Sequence, residues 1–396
     1  MRKHLLLSPL LVAASLFSPL SANAELRWSA FATLGAVYNQ DDKVKFIRNL
    51  SQPSGPEGSW STLPDTIVGG QLHYFGDSNW DAMLQAVSTY DYTSNYVPRI
   101  TWAYARYSPN PDFSVRFGRI GYDAYMQGDS RNIGFATVTV RPPIEYYGTV
   151  EMTYIDGVDV VFQRPIGEGI GVAKLFYGYN DEEVPLEDGE NLELEGTPVV
   201  GGYLEYQWSD WRVRAGVSNL KFNNTVPSLS DSRAALKATG FPPAVAAADQ
   251  LDNKDTHLTN WNIGTLYNGS DWYLQLLYGR RQSESRVLAD ADTYYALLGH
   301  RFGRFMPYLG FAQSDAQASF IPLGIPGMAP FRSTLFEQEN WHTGVRFDIS
   351  NNMSLKVQVE YIHADETQDA YFREVEPDWD GDTAVFSIAL DMIFQE

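Results

Sequence analysis

The sequence predicts an all-β protein, a transmembrane antiparallel β-barrel of about sixteen strands. Three observations predict it. Along 383–394, Ala384, Phe386, Ile388, Leu390, Met392 and Phe394 take every second position and Val385, Ser387, Ala389, Asp391 and Ile393 fill the gaps. A strand throws alternate side chains to opposite faces, so this stretch offers one wholly apolar face and one mixed face. The same alternation recurs along the chain, and the connections between the alternating segments are by turns short and long. The chain also opens on an export leader.

That leader is 1–24: Arg2 and Lys3, an apolar run over 5–20, then Ala22-Asn23-Ala24 before Glu25. The pattern reads as a signal peptide cleaved after Ala24, leaving 25–396 as one barrel. Its removal takes Arg2 and Lys3 with it and moves the net charge from −20 to −22. Cysteine is absent, so neither a disulfide framework nor thiol chemistry is available to the exported chain. Beyond the leader no apolar run approaches the roughly 18 residues of a membrane helix, so a membrane role has to use strands. The 24 Tyr, 21 Phe and 10 Trp suit aromatic girdles at the two water boundaries of a membrane barrel. A secreted sandwich, lectin or propeller shares the alternation, but has no reason to sort its connections by length.

The strands are expected in order at 27–39, 66–75, 80–90, 100–107, 113–121, 158–164, 170–179, 198–208, 211–220, 258–267, 272–282, 293–302, 305–312, 341–349, 353–364 and 383–394. Gly76-Asp77-Ser78-Asn79, Ser108-Pro109-Asn110-Pro111-Asp112, Gly167-Glu168-Gly169, Ser209-Asp210, Asn268-Gly269-Ser270-Asp271, Gly303-Arg304 and Ser350-Asn351-Asn352 are tight-turn compositions. The other eight connections are mostly long. Seven turns at one end and eight loops at the other require sixteen strands with both termini at the turn end. Outer-membrane barrels have this asymmetry, with turns in the periplasm and loops outside.

Alternation also assigns faces. Leu355, Val357, Val359 and Tyr361 oppose Lys356, Gln358 and Glu360, and Trp211, Val213, Ala215 and Val217 oppose Arg212, Arg214 and Ser218. A charge on the lipid side costs about 2 to 4 kcal/mol near the midplane, so the charged rows must face inward. The interior is therefore expected to be wet. An open sheet edge in hydrocarbon would leave its backbone groups unpaired, so the sheet must close, and sixteen strands enclose a bore wide enough for water.

With Ala30-Phe31-Ala32-Thr33-Leu34-Gly35 at the start, Phe117-Gly118-Arg119 before the third loop and the closing strand at the end, the chain resembles the sixteen-stranded general porins of Gram-negative outer membranes. The resemblance implies a water-filled channel for passive diffusion of small hydrophilic solutes and ions, a homotrimer set in outer-membrane lipid and lipopolysaccharide, and a third loop folded into the bore.

On that reading the third loop, 122–157, is the candidate constriction. It carries Asp123, Asp129, Arg131, Arg141, Glu145 and Glu151, which would face inward cations such as Arg116, Arg212, Arg214, Arg281, Arg346 and Lys356. A transverse field across a narrow eyelet orders polar solutes and filters ions. Arg119 breaks strict alternation with Val115 and Phe117, and joins the inward set only if Gly118 forms a bulge.

Other features weigh toward plain structure. The fourth loop's acidic run, Asp181 to Glu195, is a solvated face before it is a divalent-ion site, and Asp378-Trp379-Asp380-Gly381-Asp382 has its glycine misplaced for an EF-hand. Gly167, Gly169 and Gly171 mimic a dinucleotide fingerprint without a βαβ unit around them. The fifth loop is Ala-rich over 231–251 and suggests a short helix broken at Pro242-Pro243. No cofactor, metal or nucleic acid is implied. The alternatives are a substrate-selective channel and, from another class, a barrel enzyme or surface-binding protein. For the enzyme, the five histidines beyond the leader (73, 257, 300, 342 and 363) lie in no hydrolase motif, and His363 falls on the outer face.

Overall fold

A computed structural model describes residues 25–76, 79–148, 152–185, 191–333, 337–365 and 370–396. The leader 1–24 lies outside these residues, as do Glu151 and, in the acidic fourth loop, Glu187, Asp188 and Glu190. Sixteen long strands appear in the expected order: β1 (Glu25–Asn39), β2 (Ile67–Phe75), β3 (Trp80–Thr89), β4 (Arg99–Asn110), β5 (Phe113–Gly121), β6 (Tyr154–Ile166), β7 (Gly169–Asn180), β8 (Thr197–Trp208), β9 (Trp211–Lys221), β10 (His257–Asn268), β11 (Trp272–Ser283), β12 (Asp290–His300), β13 (Phe305–Gln317), β14 (Gln338–Ser350), β15 (Met353–His363) and β16 (Asp382–Gln395). Each pairs antiparallel with its neighbours in sequence. β1 also pairs with β16 in the register Leu34↔Leu390 and Ala36↔Ile388, which closes the barrel. The two-residue segment Trp60–Ser61 adds to the loop end of β1.

Closure leaves the period-two pattern to set the two faces. Leu175, Leu204, Trp261 and Leu309 of the outward row are more than half exposed, while Val37, Val385 and Ala389 of the inward row are fully buried. Several strands run further toward the loops than alternation foretold: β13 reaches Gln317 rather than 312, and β6 begins at Tyr154 rather than 158. Above the apolar band the outward side chains become polar, as at Gln313 and Asp315, so the ladder continues where the hydrophobic signal has ended.

The register corrects Arg119. β5 pairs without a shift from Tyr107↔Val115 through Ala103↔Arg119, and on its other side Gly118↔Gly157 and Arg119↔Asp156 are in step. Gly118 has φ +122°, which admits it to a close approach on the Ala103 carbonyl, but no residue is inserted. Arg119 therefore stays on the outer face with Phe117. Its Nε and Nη2 bond the Asp156 carboxylate at 2.8 and 2.6 Å, and its guanidinium lies 3.7 Å from the Tyr154 ring centroid. An outward arginine is tolerated because an outward carboxylate stands directly across the ladder.

The fifth loop holds two helices rather than one. α1 (Ile144–Tyr147) is a single turn in the third loop, whereas α2 (Pro227–Ala238) and α3 (Pro242–Gln250) form a hairpin packed on Ile321 of the seventh loop. Pro242 and Pro243 start α3 instead of breaking a helix, because the N–H groups of a first turn have no intrahelical acceptor and a proline there loses no hydrogen bond.

Candidate functional site

The third loop folds into the barrel and crosses it. It leaves β5 with Tyr122, Tyr125 and Met126 buried among inward side chains of β7 to β13: Phe176, Val199, Leu220, Leu258, Leu266, Tyr273, Leu277, Tyr295 and Tyr308. Tyr146 and Tyr147 of α1 return to the same cluster, with Tyr147 edge-on to Tyr295 at 6.5 Å between centroids. This corrects the expectation of a wet interior, since the inner wall of β7 to β13 is in large part an apolar core with the loop as its other half. The alternation of those strands places apolar side chains on both faces.

The loop's tip reaches the barrel seam. Gly134 sits so close to β1 and β16 that a Cβ there would come within 2.1 Å of an Asp391 carboxylate oxygen and 2.3 Å of the Thr33 hydroxyl. Lys356, wholly buried, donates to the carbonyls of Gly134 at 2.6 Å and Thr139 at 3.0 Å and pairs with Asp391 at 3.0 Å. Arg346 likewise donates to the Phe135 and Thr137 carbonyls, at 2.9 and 2.8 Å. The wall cations thus hold the loop by its backbone.

Two of its charges, Asp123 and Arg141, are consumed in ion pairs. Asp123 accepts from Lys174 at 2.6 Å, and Lys174 also meets Asp159, which pairs with Arg116. Burial alone would raise the Asp123 carboxyl, but Lys174 and Arg214 hold it below its usual range. Arg214 donates to the Asp123 carbonyl and to Glu205, with Arg212 close to the same carboxylate. Arg141 forks onto Asp65 of the first loop and bonds Glu360 of β15 and Ser387 of β16. Burial opposes the Asp65 charge as well, yet Arg141 and Arg48 keep its carboxyl below the usual range. Glu145 accepts from Gln338 at 2.5 Å and is completely buried. Arg281 is 2% exposed and donates to the Ala289 carbonyl. Arg141, Glu145, Arg281 and Lys356 therefore face protein and not open space. Sequence reasoning missed Lys174 and Asp65, whose inward position alternation gives for the first and nothing local gives for the second.

One side of the bore differs. From β7 round through β16 to β1 the inward row is buried at most positions, but on β2 to β5 Gln71, His73, Asp81, Met83, Trp102, Tyr104, Arg106 and Arg116 are only half-buried. Asp81 receives Arg106 Nε at 2.7 Å and lies 3.1 Å from His73 Nε2, and the Arg116 guanidinium is 5.0 Å from the Tyr104 ring centroid. On the loop, Asp129 is exposed although enclosed by the barrel, within electrostatic reach of Arg116. Arg131 is half-buried and donates to the Met152 carbonyl. Toward the loop end, about 640 Å³ of space open to solvent lies between Asn49, Thr89, Asp91, Tyr92, Arg99, Thr101, Asn132, Glu182 and Glu183.

No protein-family model and no curated protein sequence matches the chain. Among solved structures it is similar to the outer membrane channel DcaP of Acinetobacter baumannii, with TM-score 0.56 and 11% identity over 94% of this chain and 98% of that one. It is similar to an anion-selective porin from Comamonas acidovorans, with TM-score 0.54 and 12% identity over 94% and 100%. A third is OmpT of Vibrio cholerae in its trimer form, with TM-score 0.52 and 10% identity over 94% and 99%. At such identities the likeness is one of fold, and the fold is the closed sixteen-stranded barrel of porins.

Proposed function

We propose that the chain is an outer-membrane channel through which small hydrophilic solutes and ions diffuse, along a passage displaced to the β2–β5 side of the bore. The observation that carries this is the contrast within one barrel: on β2 to β5 a set of inward side chains toward the turn end, Gln71, His73, Asp81, Arg106 and Arg116 among them, stays half-exposed, whereas the inward row of β7 to β13 is largely buried under the third loop. Arg106, Arg116 and Asp81 on the wall and Asp129 and Arg131 on the loop are the charges left to act on a passing solute. The fold shared with a channel and a porin supports the reading, and the trimeric OmpT supports a homotrimer. The signal peptide at 1–24, loops outside the cell, turns in the periplasm and contacts with lipopolysaccharide belong to the same proposal.

The loop's contacts around most of the wall favour a narrow, substrate-selective passage over a general one. The enzyme reading gains nothing: His363 on the outer face meets Asp382 at 2.9 Å and Asp365 at 3.3 Å, and among the described residues no hydroxyl is bonded to it.

Planar-bilayer recording tests the proposal. Asp129→Asn is expected to shift the reversal potential toward anions and Arg116→Gln toward cations. Unchanged reversal potentials in two folded, conducting variants would move the passage away from β2–β5.

A further inference from the structure

Glu145 is the one carboxylate of the third loop that is fully buried, with no cation among its hydrogen-bond partners in the described residues. Its Oε1 takes the Gln338 amide, and its Oε2 meets no donor. Arg141, four residues earlier, is already committed to Asp65 and Glu360.

The groups lining the space beside Glu145 come from two strands and two other loops. From β14 these are Gln338 and Asn340, and from β15 Glu360. The eighth loop brings Tyr371, whose N–H donates to Gln338, and the first loop brings Arg48, which pairs with Asp65. Asn340 donates to Glu360 at 3.2 Å and lies within bonding reach of Glu145, yet its Oδ1 also lacks a donor. Two neighbouring acceptors without a donor are what a missing proton leaves behind. A proton on Glu145 supplies an O–H for the unbonded oxygens and removes an uncompensated charge from beside Glu360. A void of only about 10 Å³, lined also by Phe46 and Phe372, adjoins the carboxyl, so an ionised Glu145 has little room to reorient while the loop stays docked.

We propose that Glu145 is a proton-controlled latch: its protonated carboxyl keeps the third loop docked across the bore, and its ionisation loosens that docking and widens the passage. Burial, and then the neighbouring Glu360 charge, raise the Glu145 carboxyl to about 7. A raised carboxyl favours the docked form fully below the ordinary carboxylate range, and that contribution is lost as pH rises to about 7.

The latch rests on the channel reading, so its test uses two readouts on the purified full chain. In hydrogen exchange corrected for intrinsic rates, amides of 141–148 are expected to lose protection about tenfold or more between about pH 5 and pH 8.5. In Glu145→Gln and Glu145→Leu they are expected to stay protected at both. Native conductance is expected to rise over the same range and to be flat in Glu145→Gln. Protection that is independent of pH, or a Glu145→Gln profile that follows the native one, would overturn the latch. A native pH-dependent loss of protection in a protein that never conducts would keep the latch and overturn the channel.

Discussion

The inner walls of β7–β13 and of β2–β5 are built by the same two-residue alternation and have opposite fates. On β7–β13 the inward Leu258, Leu266, Leu277 and Tyr295 are sealed by Tyr125, Tyr146 and Tyr147 of the third loop. On β2–β5 the inward Asp81, Arg106 and Arg116 pair with each other or with neighbouring strands and keep contact with solvent. The difference teaches that facing inward in a barrel is not the same as facing water. What decides is which wall offers the loop enough apolar surface to pack against. Burying a side chain such as leucine is worth about 1.5 to 3 kcal/mol, so a loop with four tyrosines and two methionines in its buried part settles on the apolar wall and leaves the charged one open.

Breaking the sealed side should have the largest effect. Tyr146→Ala removes a side chain 1% exposed at the centre of the cluster, and a truncation of that kind in a packed interior costs about 3 to 5 kcal/mol. The expected outcome is a lower thermal midpoint together with larger, noisier single-channel currents. A quiet, native-sized conductance in Tyr146→Ala would mean that the seal does not position the loop.

The seam offers a smaller perturbation. Gly134→Val drives two methyl groups toward Thr33 and Asp391, an overpacking of about 1 to 3 kcal/mol. It should displace the tip, weaken the Lys356 bonds to the Gly134 and Thr139 carbonyls and raise conductance, while Gly167→Ala at a turn away from the loop leaves conductance alone. Equal conductance in both variants would detach the tip from control of the passage.

On the open side the expected stability change is near zero and the effect is electrostatic. Asp91, Glu182 and Glu183 at the loop-end chamber outnumber Arg99, and the whole chain is acidic, so a mild cation preference is expected at low ionic strength. Charges at a mouth are screened over about 8 Å at physiological salt, so the preference should fade as salt rises. A preference that is constant with salt would assign selectivity to the enclosed Asp129 and Arg116 rather than to the mouth.

Much of the fold is legible in the sequence because it rests on local rules. The sixteen strands, the outward Leu390 and inward Ser387 and Asp391 of the closing strand, and the sorting of turns from loops follow from period two and from turn chemistry. Misreadings arose where a local rule had two solutions. Arg119 could turn inward through a bulge or stay outward beside a carboxylate, and only the pairing with Asp156, 37 residues away, chose between them. Pro242-Pro243 could end one helix or begin the next. The sequence by itself determined which side chains point into the barrel, because alternation depends on nothing beyond the strand. Only the tertiary structure decided which of them meet water, because Lys356 finds Gly134 and Arg141 finds Glu360 across more than two hundred residues of chain, and burial is a property of what the loop covers when the barrel has closed.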